Sequence, residues 1–214
     1  MVLFLAGCAT LQLQQFNQHL DQGDEAWIAQ QTVRCENESD TCSQLHLIKG
    51  EACLHLADTG EAPAFHYACA ADSLAQGIAM RRSWPDPGAK RRYQGHLCES
   101  LSNLLQLQSD DAAADTLARL AAAAESLYQM APASVPATYY LAIVRHRQIE
   151  PQLLDMNAAN RVPICNRLKR ILTGILSMME TAQTDPSPDW YRFAENYQRL
   201  AFDLGTSIQT AECR

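Results

Sequence analysis

The sequence has no run of about 18 apolar residues anywhere in its 214 positions, so no ordinary transmembrane helix is expected. It has no CxxC pair, which sets aside zinc ribbons, thioredoxin-like redox sites and haem attachment through CxxCH. GxSxG, HExxH and glycine-rich phosphate loops are also missing, and with them the usual marks of hydrolases, zinc proteases and nucleotide enzymes. The chain is therefore not expected to be an enzyme, and no cofactor or metal is expected. A basic excess is lacking too: 17 Lys and Arg stand against 24 Asp and Glu, for a net charge of -7. Phosphate neutralisation needs clustered surplus cations, so nucleic acid is not an expected partner.

Runs alternating with period two are scarce, and Gly and Pro number only nine each. Stretches rich in Ala, Leu, Gln, Glu and Arg favour helix, and the fold class is all-α. The hydrophobic share of 47% suits one folded domain. The safest helix is Asp111 to Met130, where Leu117, Leu120, Ala121, Ala124 and Leu127 recur at helical spacing after Ser109 and Asp110 as caps. Breakers at Gln22-Gly23-Asp24, Glu36 to Asp40, Thr59-Gly60 and Pro85 to Gly88 divide the chain, as do Pro132, Pro151, Pro163, Pro186 and Pro188. About eight or nine helices joined by short loops result, which favours antiparallel hairpins. The last, from Asp189 to Gln209, carries an aromatic stripe of Trp190, Phe193, Tyr197, Leu200 and Leu204 that reads as core.

Eight cysteines in a chain of this length point to an oxidising compartment. Cys35 and Cys42 flank a short polar loop and are expected to form a disulfide. Cys165 and Cys213 are expected to tie down the C-terminal tail in the same way. Cys53, Cys69 and Cys98 fall on apolar helix faces and read as small hydrophobes. A metal site from Cys53, His55, His66 and Cys69 is disfavoured, because residues two apart on a helix point about 200° apart.

Leu5-Ala6-Gly7-Cys8 resembles the lipobox of bacterial lipoproteins, whose cysteine is acylated and becomes the first residue after cleavage. The resemblance implies that residues 1–8 are a shortened signal ending at a lipidated Cys8, with residues 9–214 forming a single helical domain. Gln12, Gln14, Gln15, Asn17 and Gln18 then read as a polar tether. Ala9, in place of the Asp associated with inner-membrane retention, implies the periplasmic side of the outer membrane.

Gly50 and Cys53 recur 45 residues later as Gly95 and Cys98, and a third small residue, Ala142, follows after another 47. Met130 to Ala142 has a proline, Pro132, followed by Tyr-Tyr-Leu-Ala opening a helix. These features resemble tetratricopeptide (TPR) repeats, although that family repeats about every 34 residues. The resemblance implies helix hairpins stacked as a right-handed solenoid with a C-terminal capping helix, in which Gly50 and Gly95 allow close helix approach. A generic helical bundle accommodates the same pattern. In a TPR-like stack, Arg92, His96, Glu99, Tyr139, Ile143 and His146 would project into a common groove and take an envelope protein or peptide. Arg81, Arg82, Trp84, Lys90, Arg91 and Arg92 surround one turn and offer a second contact for an anionic partner, lipid headgroup or glycan. The functional expectation is a membrane-anchored adaptor; the alternative is the small-ligand partner of a TRAP-type transport system.

Overall fold

The computed structural model of the protein describes residues 6–35, 37–60 and 62–213, with the side chains of 6–8, 110 and 111 outside that description. Cys8, the expected lipidation site, lies outside the described side chains. Nine helices and no strand occur among the described residues. They are α1 (Ala6–Asp21), α2 (Glu25–Gln30), α3 (Asp40–Thr59), α4 (Pro63–Met80), α5 (Pro87–Leu107), α6 (Asp110–Met130), α7 (Val135–Leu154), α8 (Arg161–Thr184) and α9 (Pro188–Thr210). The chain divides into two compact units, Met1–Ala123 and Ala124–Arg214, with the division inside α6.

Local chemistry explains most helix starts. Ser39, Asp86 and Ser187 accept hydrogen bonds from the first backbone amides of α3, α5 and α9. Pro63, Pro87 and Pro188 occupy first-turn positions, where a missing N–H costs nothing. Pro87 and Gly88 thus open a helix and do not form the expected turn. Pro151 departs from expectation in another way. It lies inside α7, in its last turn, so the backbone bond it forfeits is close to an end that frays in any case.

In the first unit the expected polar tether is a packed helix. Phe16 of α1 is fully buried with Ile28, Leu45, Ile48 and Ala52, and Ala9, Leu13 and Trp27 pack against that cluster. Gln12 fixes the helix further: its amide donates to Thr32 O at 2.8 Å, and its oxygen accepts from the Arg34 amide at 3.0 Å. Ala9, Leu13 and Phe16 follow one another at helical spacing, and burying that narrow stripe outweighs the glutamines around it.

The hairpin of α3 and α4 is packed through glycine on both sides. A Cβ on Gly50 would stand 2.6 Å from Leu74 Cγ, and one on Gly77 would stand 2.8 Å from Leu47 Cγ. The disulfide Cys53–Cys69 continues that line of contacts. This corrects the reading of the two cysteines as separate apolar thiols, since the antiparallel register brings them face to face. Ser43 Oγ donates to Gly77 O at 2.7 Å, which satisfies a polar group sealed between the helices. By contrast, an added Cβ on Gly95 would meet nothing within 4 Å, so that glycine has no close-packing role. Cys98 is a free, buried thiol, and burial pushes its pKa well above the ordinary value.

In the second unit α7, α8 and α9 pack against one another. The aromatic stripe of α9 is buried as the sequence indicates, from Trp190 through Phe193, Tyr197 and Leu200 to Leu204. Tyr139 and Tyr140 of α7 meet the Phe193 ring edge to face, at 5.3 and 5.7 Å. Tyr197 donates its hydroxyl to Val135 O at 2.8 Å. The expected disulfides Cys35–Cys42 and Cys165–Cys213 are both formed.

Candidate functional site

The polar residues gather along two seams, one in each unit. In the first unit, α3 touches α5 as well as α4, and charged side chains line the contact. Glu51 of α3 is central: Arg92 Nε lies 3.8 Å and His96 Nδ1 3.4 Å from the same carboxylate oxygen. Two turns further along α3, Asp58 accepts the Tyr67 hydroxyl at 2.8 Å. Burial, and then that bond, push the Tyr67 pKa up to about 12, with Asn103 and Glu99 of α5 also beside the hydroxyl. The seam therefore holds two groups, Glu51 with Arg92 and His96, and Asp58 with the neutral phenol of Tyr67. Arg92 and Glu51 keep about half and a third of their side-chain surface in solvent, so their remaining hydrogen-bonding capacity is accessible.

The second unit repeats the theme between α7 and α9. Tyr139 is largely enclosed, and burial raises its pKa while Arg199 and Asp203 stand near its hydroxyl. His146 is nearly sealed, and its Nε2 lies 3.0 Å from Ser207 Oγ. Burial depresses the His146 pKa and Arg147 adds to the effect, while Glu150 and Asp203 oppose it. Ser207, His146 and Glu150 stand in the order of an acyl-transfer triad, but the carboxylate is 4.0 Å from Nδ1. Ser207 also lies within α9, where backbone amides bond along the helix and none is left to hold an oxyanion.

The expected groove residues thus fall three to each unit. Arg92, His96 and Glu99 belong to the α3/α5 seam, and Tyr139, Ile143 and His146 to the α7 side of the other. Within the second trio Ile143 is half-buried, whereas Tyr139 and His146 turn into the packing against α9. Sequence reasoning missed Glu51, Asp58 and Tyr67 in one seam and Arg199, Asp203 and Ser207 in the other. The signal was there: positions 51, 55 and 58, and positions 199, 203 and 207, are polar lines at helical spacing.

The basic turn is partly consumed by the fold. Arg81 donates to Ser83 O at 3.0 Å and Asp40 O at 3.2 Å, and Arg82 uses its amide on Asp40 Oδ1 and its side chain on Glu38 O. Together they fasten the end of α4 to the start of α3. The Trp84 ring lies 5.8 Å from the Arg81 guanidinium and 5.7 Å from Tyr93, so it covers this junction. Arg91 stays exposed and Lys90 half-exposed beside it.

No protein-family model and no curated protein matches the chain. Among the described residues no group of His, Cys, Asp and Glu side chains is placed to hold a metal ion. Cys53 and Cys69 are spent on each other, and His55 faces Glu25 at 3.3 Å. No helix among the described residues is long and apolar enough to cross a membrane.

Proposed function

We propose that the chain is a partner-binding adaptor of the bacterial envelope, periplasmic and held to the outer membrane by an acylated Cys8, with TPR-like helix pairs inside each unit. The observation that carries this reading is the α3/α5 seam, where Glu51 is shared by Arg92 and His96 beside the Tyr67–Asp58 pair. Paired but half-exposed charges of this kind can exchange their internal partners for those of an incoming peptide at little net cost. The contact pattern supports the helix-pair reading, because α3 touches both α4 and α5, and α7 touches both α8 and α9. Three disulfides favour an oxidising compartment. Ala9 already packs on the first unit's core, so an anchor at Cys8 would hold that unit close to the bilayer without a long tether.

The test has two parts. Mass spectrometry of protein extracted from membranes is expected to find an acylated Cys8 as the mature first residue; an unmodified Cys8 would remove the anchor from the proposal. Crosslinking in the envelope is then expected to capture a protein, with the yield lowered about tenfold by Glu51→Ala together with Arg92→Ala, as for a pair worth about 1.4 kcal/mol at an interface. A metabolite that raises the melting temperature, with no protein captured, would transfer the assignment to the ligand-binding partner of a TRAP-type transport system.

A further inference from the structure

The second unit carries an unusual helix face that neither seam uses. From Arg161 to Met179, α8 contains Arg161, Arg167, Lys169 and Arg170 and no carboxylate of its own; Arg161 faces Glu212 at 3.5 Å and Arg167 donates to Gln152 Oε1 at 3.0 Å, while Lys169 and Arg170 stand on the outward side. Its inward face buries Ile164, Leu168, Ile175 and Ala182. The outward face is neither plainly polar nor covered. Val162, Lys169 and Leu176 follow one another seven residues apart, which sets them nearly in line along the helix at steps of about 10 Å. Val162 is 65% exposed and Leu176 50% exposed, with Leu172 and Met179 half-buried alongside. Gly174 adds a second peculiarity: it sits mid-helix, and an added Cβ would meet nothing within 4 Å, so no packing inside the chain calls for glycine there.

We infer that this outward face of α8 is a docking surface for an anionic lipid bilayer. Cations flanking exposed aliphatic side chains on one helix are the pattern of interfacial binding, in which apolar groups sink to the acyl boundary and Lys and Arg reach the headgroups. An acidic protein or polymer would use Lys169 and Arg170 but would leave Val162 and Leu176 without a role. Charge distribution favours the same occupant. The first unit contains 15 acidic and 8 basic residues and the second nine of each, so the chain's negative excess lies outside the unit that carries α8. The inference concerns a different surface from the seam and does not depend on Cys8 being acylated.

The experiment uses the full chain with Cys8→Ser, so that no acyl group contributes. It is mixed with phosphatidylcholine vesicles or with vesicles that also contain phosphatidylglycerol, and bound protein is measured by co-sedimentation. Binding is expected only to the anionic vesicles and is expected to weaken with salt. The double change Lys169→Gln and Arg170→Gln is expected to reduce it roughly twenty-five-fold, at about fivefold per cation near an anionic surface. Leu176→Ser is expected to lower vesicle binding while leaving retention on heparin unchanged. All these side chains are exposed, and matched thermal melts would establish that the variants fold. Lys90→Gln with Arg91→Gln, in the basic turn, is expected to bind like the parent. Equal binding to both vesicle types, or none to either, would overturn the inference. So would retention on heparin without vesicle binding, which would reassign the face to an acidic macromolecule, or a loss in the Lys90 and Arg91 variant as large as in the α8 variant.

Discussion

At the scale of single residues, Gly50 and Gly95 occupy comparable mid-helix positions in α3 and α5, yet they meet opposite surroundings. A methyl group on Gly50 would press on Leu74, which is fully buried and whose backbone nitrogen is also only 3.1 Å away. Overpacking of this kind costs about 1–3 kcal/mol, against a helix-propensity gain of about 1 kcal/mol. Gly50→Ala is therefore expected to destabilise the protein by up to roughly 2 kcal/mol, while Gly95→Ala, with open space around it, is expected to stabilise it by up to about 1 kcal/mol. Urea midpoints of the two variants would give shifts of opposite sign. His146 supplies a second residue-scale expectation. Its folded pKa lies below the ordinary 6.5 because of burial, so below that pH the unfolded chain takes up a proton that the fold resists. Stability should fall as pH drops through about 6.5 toward the lowered value, and His146→Gln should flatten the melting-temperature slope between about pH 7.5 and pH 5.5. Some slope should persist in that variant, because His46 is depressed in the same direction by burial and by Lys49.

At the scale of elements, each disulfide closes a different loop, and each joins pieces that the core alone grips with different strength. Cys35–Cys42 spans 7 residues, Cys53–Cys69 spans 16 and Cys165–Cys213 spans 48. Loop-closure entropy then predicts losses of roughly 2, 3 and 4 kcal/mol when each pair is replaced by alanines, measured by denaturant unfolding. A loss for Cys53–Cys69 well above its place in that order would mean that the bond also sets the register of the α3/α4 hairpin. The two glycine contacts argue that the register is held without it, since Leu47 and Leu74 each fit against a glycine of the opposite helix. The aromatic stripe of α9 offers a contrast. It needs no covalent support, because five large side chains at spacings of 3 and 4 leave only one face that can turn inward.

At the scale of the molecule, charge and exposed apolar surface are unevenly shared. The acidic excess belongs to the first unit, and so do the α3/α5 seam and the basic turn. The second unit is neutral by count and carries five of the large exposed hydrophobics, Leu154, Val162, Leu176, Tyr191 and Phe202. Such a division suits a chain that meets a partner with one unit and a surface with the other, and the vesicle and crosslinking experiments address the two halves separately. Neither experiment needs the other to succeed, because the α8 face and the α3/α5 seam share no residue.

Much of the helical architecture was legible in the sequence, because caps, prolines and apolar periodicity act over a few residues. Asp86, Ser187 and the stripe from Trp190 to Leu204 each carry their meaning within one or two turns. The bridges Cys35–Cys42 and Cys165–Cys213 were legible as well, one from its short loop and the other from its place beside the tail. What the sequence could not supply was register between helices. The likeness of Gly50 and Cys53 to Gly95 and Cys98 suggested a repeat, but the true partners of Gly50 and Cys53 are Leu74 and Cys69 on α4, brought opposite by the hairpin. For the same reason His96 was identifiable and Glu51 was not, since the two lie 45 residues apart and meet only when α3 and α5 pack. Local periodicity determined which residues form helices and which faces turn inward; only the packing of one helix against another decided which side chains meet, because that depends on register and crossing, which no short stretch of sequence contains.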